Sequence, residues 1–159
     1  MSVVQISDGS YAVAGYTNSS GVGGYDAWLV ITESTGYMLW NQTYNLKAAS
    51  PNALIQTEDG GYVVAACGST FNAATGGNGE PFCLIKTDNT GNLQWRKIYQ
   101  GPGFNNLPYS LIQTSDGGFA LAGLTGTLRV TNVVEYMGDF WLVETAGDGE
   151  VTGLSMKFE

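Results

Sequence analysis

This chain of 159 residues holds fourteen acidic and six basic side chains and not one histidine. That removes the commonest general base, the Ser-His-Asp arrangement and most transition-metal ligand sets. Chemistry would have to come from carboxylates. Asp8, Asp59 and Asp116 suggest a ring suited to acid–base or cation work. Each is followed by glycine, though, and Asp-Gly is the composition of a tight turn, which accounts for all three. Asp88-Asn89-Thr90-Gly91-Asn92 is faintly like a calcium loop but lacks the later ligands and the closing bidentate Glu. Asp26 and Asp139, just ahead of apolar runs, are read as turn residues too. No glycine-rich stretch leads into a helix N-terminus, so no phosphate loop is expected. A Ser-Lys or paired-carboxylate mechanism has no motif that gathers its groups. No catalytic residue, metal site or cofactor is expected.

Two sequons, Asn18-Ser19-Ser20 and Asn41-Gln42-Thr43, would accept glycans in a secreted setting. Asn18 falls in a variable loop and is the better acceptor. Asn41 follows Trp40 in a strand-like run, where a glycan needs an exposed outer edge.

The elements that position these residues come in three copies. Val3-Val4-Gln5-Ile6-Ser7-Asp8-Gly9-Ser10-Tyr11 aligns without gaps to Leu54-Ile55-Gln56-Thr57-Glu58-Asp59-Gly60-Gly61-Tyr62 and to Leu111-Ile112-Gln113-Thr114-Ser115-Asp116-Gly117-Gly118-Phe119. Successive aspartates lie 51 and 57 residues apart, a spacing found in propeller repeats. Each block is an apolar run, an Asp-Gly turn and a second apolar run, which is a hairpin signal. A second block opens with Trp28-Leu29-Val30, Cys83-Leu84-Ile85 and Trp141-Leu142-Val143. It reaches Gly36, Gly91 and Gly149, and a fourth run follows over 37–44, 92–99 and 151–158. Four strands in each copy predict twelve strands and no helix.

Such a four-stranded unit covers its faces only by stacking on its neighbours. Runs such as Tyr62-Val63-Val64-Ala65-Ala66 suit sheets covered on both sides. The fold class expected is all-β: a β-propeller of four-stranded antiparallel blades, with blades near 1–50, 51–107 and 108–159. A β-solenoid is the rival, but its coils are usually shorter. Known propellers close with roughly four to eight blades. Three blades are therefore expected to pair as a homodimer that closes a six-bladed ring, unless they are part of a longer propeller.

The pattern Leu-Ile-Gln-Thr-x-Asp-Gly-Gly-Tyr/Phe, followed by Trp-Leu-Val and an Asp-x-x-Gly-Asn-Leu-Gln-Trp-type fourth run, resembles the Asp-Gly-Gly propeller repeats of archaeal and bacterial surface proteins. It is distantly similar to kelch and quinoprotein-type propellers. The likeness covers nearly the whole chain. Copy two carries it best, through Lys86-Thr87-Asp88 and Trp95-Arg96-Lys97-Ile98-Tyr99, whereas copy three has Gly153 where Trp40 and Trp95 stand. The resemblance implies an extracellular or cell-surface scaffold with no defined activity. No quinoprotein catalytic motif is present.

Alternating strand direction sends the Asp-Gly turns and the third-to-fourth-strand turns to one end. The other end gathers loops of unequal length, over 18–25, 69–80 and 126–138, with crossings over 45–52 and 100–109. Loops on a rigid scaffold commonly carry function. Tyr25, Phe71, Phe104, Tyr109 and Tyr136 are the candidate ligand-binding residues there, rim packing being the alternative. The internal alignment sets Cys67 at the place of Tyr16 and Leu124, and Cys83 at that of Trp28 and Trp141. A large pair exchanged for two cysteines predicts a cross-strand disulfide, two free buried thiols being the alternative.

Composition bounds the partners. The chain is 43% hydrophobic, 12% aromatic and only 13% charged, with net charge −8. Such a surface repels phosphate backbones and anionic membranes, so no nucleic acid and no membrane insertion are expected. Met1 runs straight into a strand-like segment, read as a repeat boundary at which any export signal would lie out of view. A non-enzymatic binding or adhesion module is the leading expectation, with glycan or protein as ligand. A structural self-assembling segment comes next, and a polysaccharide-active enzyme last.

Overall fold

The computed structural model describes residues 1–19, 25–45, 50–68, 70–72, 77–101, 105–130, 134–153 and 156–158. Residues 70–72, 77–79, 127–130, 134–137 and 156–158 are described by their backbone alone.

The chain is all-β, with no helix among the described residues. Sheet 1 is a meander of β1 (Ser2–Gln5), β2 (Tyr11–Thr17), β3 (Asp26–Thr32) and β4 (Met38–Tyr44). Sheet 2 joins β5 (Ser50–Gln56), β6 (Tyr62–Cys67), β9 (Phe82–Thr87) and β10 (Leu93–Tyr99), interrupted by a small hairpin of β7 (Thr70–Asn72) and β8 (Gly77–Gly79). Sheet 3 joins β11 (Asn105–Gln113), β12 (Phe119–Val130), β13 (Val134–Thr145) and β14 (Met156–Phe158). All pairings within these sheets are antiparallel.

The twelve expected strands are present, and the additional hairpin makes fourteen. Two expected loops differ. The segment 69–80 contains β7 and β8, and the segment 126–138 largely continues the β12–β13 ladder out to Val130↔Val134. Much of the crossing over 100–109 is already strand, since β11 begins at Asn105. Among the described residues, the fourth strand of sheet 3 comprises Met156–Phe158, with an isolated Thr145↔Val151 bridge before it.

Six hairpin turns share one design. In each, the amide of a residue X bonds the carbonyl of X+4, and the amide of X+3 returns to the carbonyl of X, with X being Ile6, Glu33, Thr57, Asp88, Thr114 or Ala146. This is a three-residue loop closed by a glycine bulge. The X+3 residue is Gly9, Gly36, Gly60, Gly91, Gly117 or Gly149, all at φ between 79° and 93°. In the Asp-Gly turns the positive φ sits on the glycine, at the end of a three-residue loop.

The three sheets stack through two apolar cores. One joins sheets 1 and 2 through Ala14, Leu29, Ile31, Val64, Cys83 and Ile85. The other joins sheets 2 and 3 through Val63, Phe82, Leu84, Phe119, Leu121 and Trp141. Strands β6 and β9 are thus buried on both faces along their whole length. The backbones of neighbouring sheets approach along their first strands: β5 lies against β1 and β2, and β11 against β5 and β6. The sheets converge there and spread towards their fourth strands.

Large side chains fill the spreading rim, the same way twice. Trp40 of sheet 1 packs edge-on to Tyr62, and Trp95 of sheet 2 packs on Phe119. The Tyr44 hydroxyl donates to the Gly91 carbonyl and the Tyr99 hydroxyl to the Gly149 carbonyl, both at 2.8 Å. A Cβ at Gly91 would fall 2.6 Å from the Trp40 ring, so glycine is required there by contact as well as by φ. Near the first strands, Gln56 accepts from the Ser7 amide and Gln113 from the Glu58 amide. Each sheet is therefore tied to the next at both its inner and its outer margin.

Candidate functional site

The turn end carries most of the recurrent carboxylates, and their oxygens are spent on backbone. Asp8 accepts from the Ser10 amide, Asp59 from Gly61 and Asp116 from Gly118. The Ser10 side chain at Asp8 and the Thr114 hydroxyl at Asp116, with these amide bonds second, hold both carboxyls below the usual carboxylate range. Asp88 accepts from the Asn92 and Thr90 side chains and from both their amides, which brings it down to about 2. Burial works against ionising Asp59, but the Lys86 ammonium, the Thr57 hydroxyl and the Gly61 amide outweigh it and also hold it at about 2. Lys86 is almost fully buried, and its ammonium bonds both Asp59 oxygens at 2.8 and 2.9 Å and the Thr87 carbonyl at 2.9 Å. These arrangements fasten turns. Among the described residues, no three His, Cys, Asp or Glu side chains are grouped to hold a metal ion.

The loop end offers aromatic surface. The β2–β3 ladder ends at Thr17↔Asp26, which brings Tyr16 and Tyr25 together across the hairpin. Their rings meet edge to face, with centroids 5.1 Å apart and planes at 87°. Both are about half exposed, at 50% and 49%. Tyr16 stands opposite Ala27, too small to cover its ring. Thr17 and Asp26, next in line along the two strands, are buried on the opposite face of sheet 1, where the Thr17 and Ser19 hydroxyls are in hydrogen-bond contact. Two amphipathic rings, each with its own phenolic hydroxyl, can take the apolar face of a sugar or a peptide side chain, keeping a polar edge in reach.

The other expected residues do not join this pair into one described patch. Tyr109 is exposed at the bulge of β11, between Pro108 and Ser110. Phe71 lies in β7 opposite Asn78, and Tyr136 in the extended β13 ladder opposite Leu128, both known by backbone position only. Phe104 lies outside the described residues. Asn18 is exposed just after β2. Asn41 is exposed on the edge strand β4, where its side-chain oxygen accepts from the Trp28 indole at 3.0 Å. Tyr16 was not among the expected residues. Tyr16 pairs with Ala27, and only that register brings its ring diagonally onto Tyr25.

The expected Cys67–Cys83 disulfide is corrected by the register. Cys67 stands opposite Phe82 and Cys83 opposite Ala66, one residue out of step. Successive residues of a strand point to opposite faces, so the two sulfurs lie on opposite sides of sheet 2. Both are free and buried. Burial raises the Cys67 thiol and pushes Cys83 up to about 12, leaving neither as an activated nucleophile.

A cleft of about 290 Å³ opens at the rim between sheets 1 and 2, lined by Gln42, Thr43, Tyr44, Leu93 and Arg96. The Arg96 guanidinium already donates to the Asn45 carbonyl at 2.9 Å. The cleft is the gap left where the sheets spread. No described helix is long and apolar enough to cross a membrane. Comparison with protein-family models found no match, and neither did a search of curated proteins.

Proposed function

We propose that the chain forms three blades of a β-propeller and acts as a non-enzymatic extracellular scaffold, binding a surface ligand, a glycan first of all, at its loop end. The observation that carries this reading is the radial packing: three meanders converge on their first strands and spread at their fourth, with one aromatic tie repeated at each junction. A flat stack of sheets would not need that wedge. Radial stacking would bring the second-to-third-strand connections of the three sheets to one end, where the Tyr16–Tyr25 pair offers a stacking surface. The likeness of the Asp-Gly-Gly units to surface-protein repeats supports the extracellular setting. Among the described residues the turn carboxylates are committed to turn amides, hydroxyls and the Lys86 ammonium, which supports the non-enzymatic reading.

An array of cell-surface glycans and surface proteins tests this. Saturable binding is expected, reduced at least tenfold by Tyr16→Ala with Tyr25→Ala, with an unchanged circular dichroism spectrum. No saturable ligand in either class would overturn the binding reading. It would favour a second one, a structural segment devoted to self-association, for which the uncovered faces of sheets 1 and 3 speak.

A further inference from the structure

Sheets 1 and 3 each leave one face uncovered, and the two faces are not alike. On the outward face of sheet 1, Tyr11 stands where Tyr62 and Phe119 stand, Val13 where Val64 and Leu121 stand, and Val30 where Ile85 and Val143 stand. In sheets 2 and 3 those positions press against the preceding sheet and are buried. On the outward face of sheet 3, Ala122 occupies the place of Ala14 and Ala65, Leu142 that of Leu29 and Leu84, and Phe140 that of Ala27 and Phe82. In sheets 1 and 2 those positions receive the following sheet. Leu29, Leu84 and Phe82 are fully buried, whereas Phe140 is 41% exposed. The two uncovered faces are thus opposite halves of one contact, which the chain makes twice within itself.

The ties at the margin tell the same story. Gln56 and Gln113 reach back to the preceding sheet, but Gln5 turns to the Gly9 carbonyl of its own turn. Gly36 has open space where Gly91 holds the Trp40 ring. Sheet 1 therefore carries a complete but empty socket. Sheet 3 carries an incomplete plug. Counted from the turn glycine, Gly153 stands where Trp40 and Trp95 follow theirs, and counted by the ladder, Phe158, opposite Phe140, holds the register place of Tyr44 and Tyr99.

We propose, on the strength of the propeller reading, that this chain pairs with a second copy of itself, the outward face of sheet 3 of each meeting the outward face of sheet 1 of the other. Two such contacts related by a two-fold axis close a ring of six sheets and leave no face uncovered. The complementarity of the faces fixes this head-to-tail order. The missing tryptophan and hydroxyl make the contact weaker than the internal ones, and so reversible.

Sedimentation velocity at micromolar concentration is the test, and a concentration-dependent monomer–dimer equilibrium is expected. Val13→Asp and Leu142→Asp, on half-buried outward positions, should each abolish dimers with the circular dichroism spectrum unchanged. Mixing the two variants should restore a heterodimer, because one sheet-3-to-sheet-1 contact between them is intact. A face-to-face pairing of like sheets gives no such recovery. Phe158→Tyr restores the residue type of Tyr44 and Tyr99 at both contacts of the two-fold dimer and, at one hydrogen bond gained per contact, should tighten it about tenfold to a hundredfold. A monomer throughout, a dimer indifferent to both aspartates, or growth into open polymers would overturn the proposal. Small-angle scattering of the monomer keeps the two readings apart: a three-sheet wedge that stays monomeric sinks only the dimer, while a profile incompatible with the wedge sinks the propeller.

Discussion

Sheets 2 and 3 start from nearly the same sequence pattern and end in different physical states. Sheet 2 is covered on both sides, and its central strands β6 and β9 are buried along their whole length. Sheet 3 is covered on one side, so Leu121 is buried while its neighbour Leu124 is 41% exposed. Sheet 2 has a fourth strand with both tryptophan and tyrosine, whereas the described fourth strand of sheet 3, Met156–Phe158, has neither. A strand's stability here is set by its neighbours more than by its own residues. The same leucine is a core residue in one sheet and a boundary residue in the next.

The largest expected effect exploits that contrast directly. Leu84→Ala opens a cavity in the doubly covered sheet and should cost about 3 kcal/mol. Leu142→Ala, at the matching position of sheet 3, should cost about 1 kcal/mol or less when urea unfolding is followed on dilute protein. Equal losses would mean that the outward face of sheet 3 is already covered.

A smaller difference separates two turn glycines with nearly the same backbone angle, 85° at Gly91 and 93° at Gly36. Gly36→Ala meets only the left-handed strain, about 1 kcal/mol. Gly91→Ala meets that strain and the Trp40 ring together, and should cost about 2–3 kcal/mol. Thermal unfolding of the pair measures the rim contact by subtraction.

The smallest expected effect concerns the Asp59–Lys86 ion pair at the Thr57 turn of sheet 2. Asp59→Ala strands the buried Lys86 ammonium and should cost about 1–2 kcal/mol, reduced because Asp59 is itself half exposed. Lys86→Ile copies Ile31 of sheet 1 and should be close to neutral. Since the folded-state carboxyl lies at about 2, below its ordinary 3.8, the pair's contribution is complete above pH 3.8 and disappears as pH falls through about 2. An Asp59→Asn variant should show a flatter acid profile than the parent across that window. Identical profiles would mean that Asp59 and Lys86 do not hold each other.

The turns were legible in the sequence because their cause is local. Asp8-Gly9, Asp59-Gly60 and Asp116-Gly117 carry their own geometry, and the alternation on either side assigns the strands. The middle sheet's double burial could likewise be read from Tyr62–Ala66. The cysteine pairing was not legible, because strand register depends on how many residues the hairpin end consumes. A miscount of one carries a side chain to the opposite face. The β7–β8 hairpin and the extension of β12 and β13 were hidden for a related reason: Gly- and Thr-rich segments show no apolar alternation until a ladder is formed. In the candidate site, Tyr25 was found by residue type, but its partner Tyr16 needed the register. The ties made by Tyr44, Tyr99, Gln56 and Gln113 recur in the sequence, yet recurrence alone does not say which neighbour a residue serves.

The rim ties bear on how the molecule breathes. Neighbouring sheets meet along their first strands, so the easiest motion is to swing open like the leaves of a book about that spine. Tyr44 and Tyr99 fasten the free edges of the leaves, at the greatest lever arm from the hinge. A small opening there must break the hydroxyl bond and lift the tryptophan from its glycine at the same moment. Opening is therefore abrupt between sheets 1 and 2 and between sheets 2 and 3. In a lone chain, the outer leaves have no such latch on their far sides.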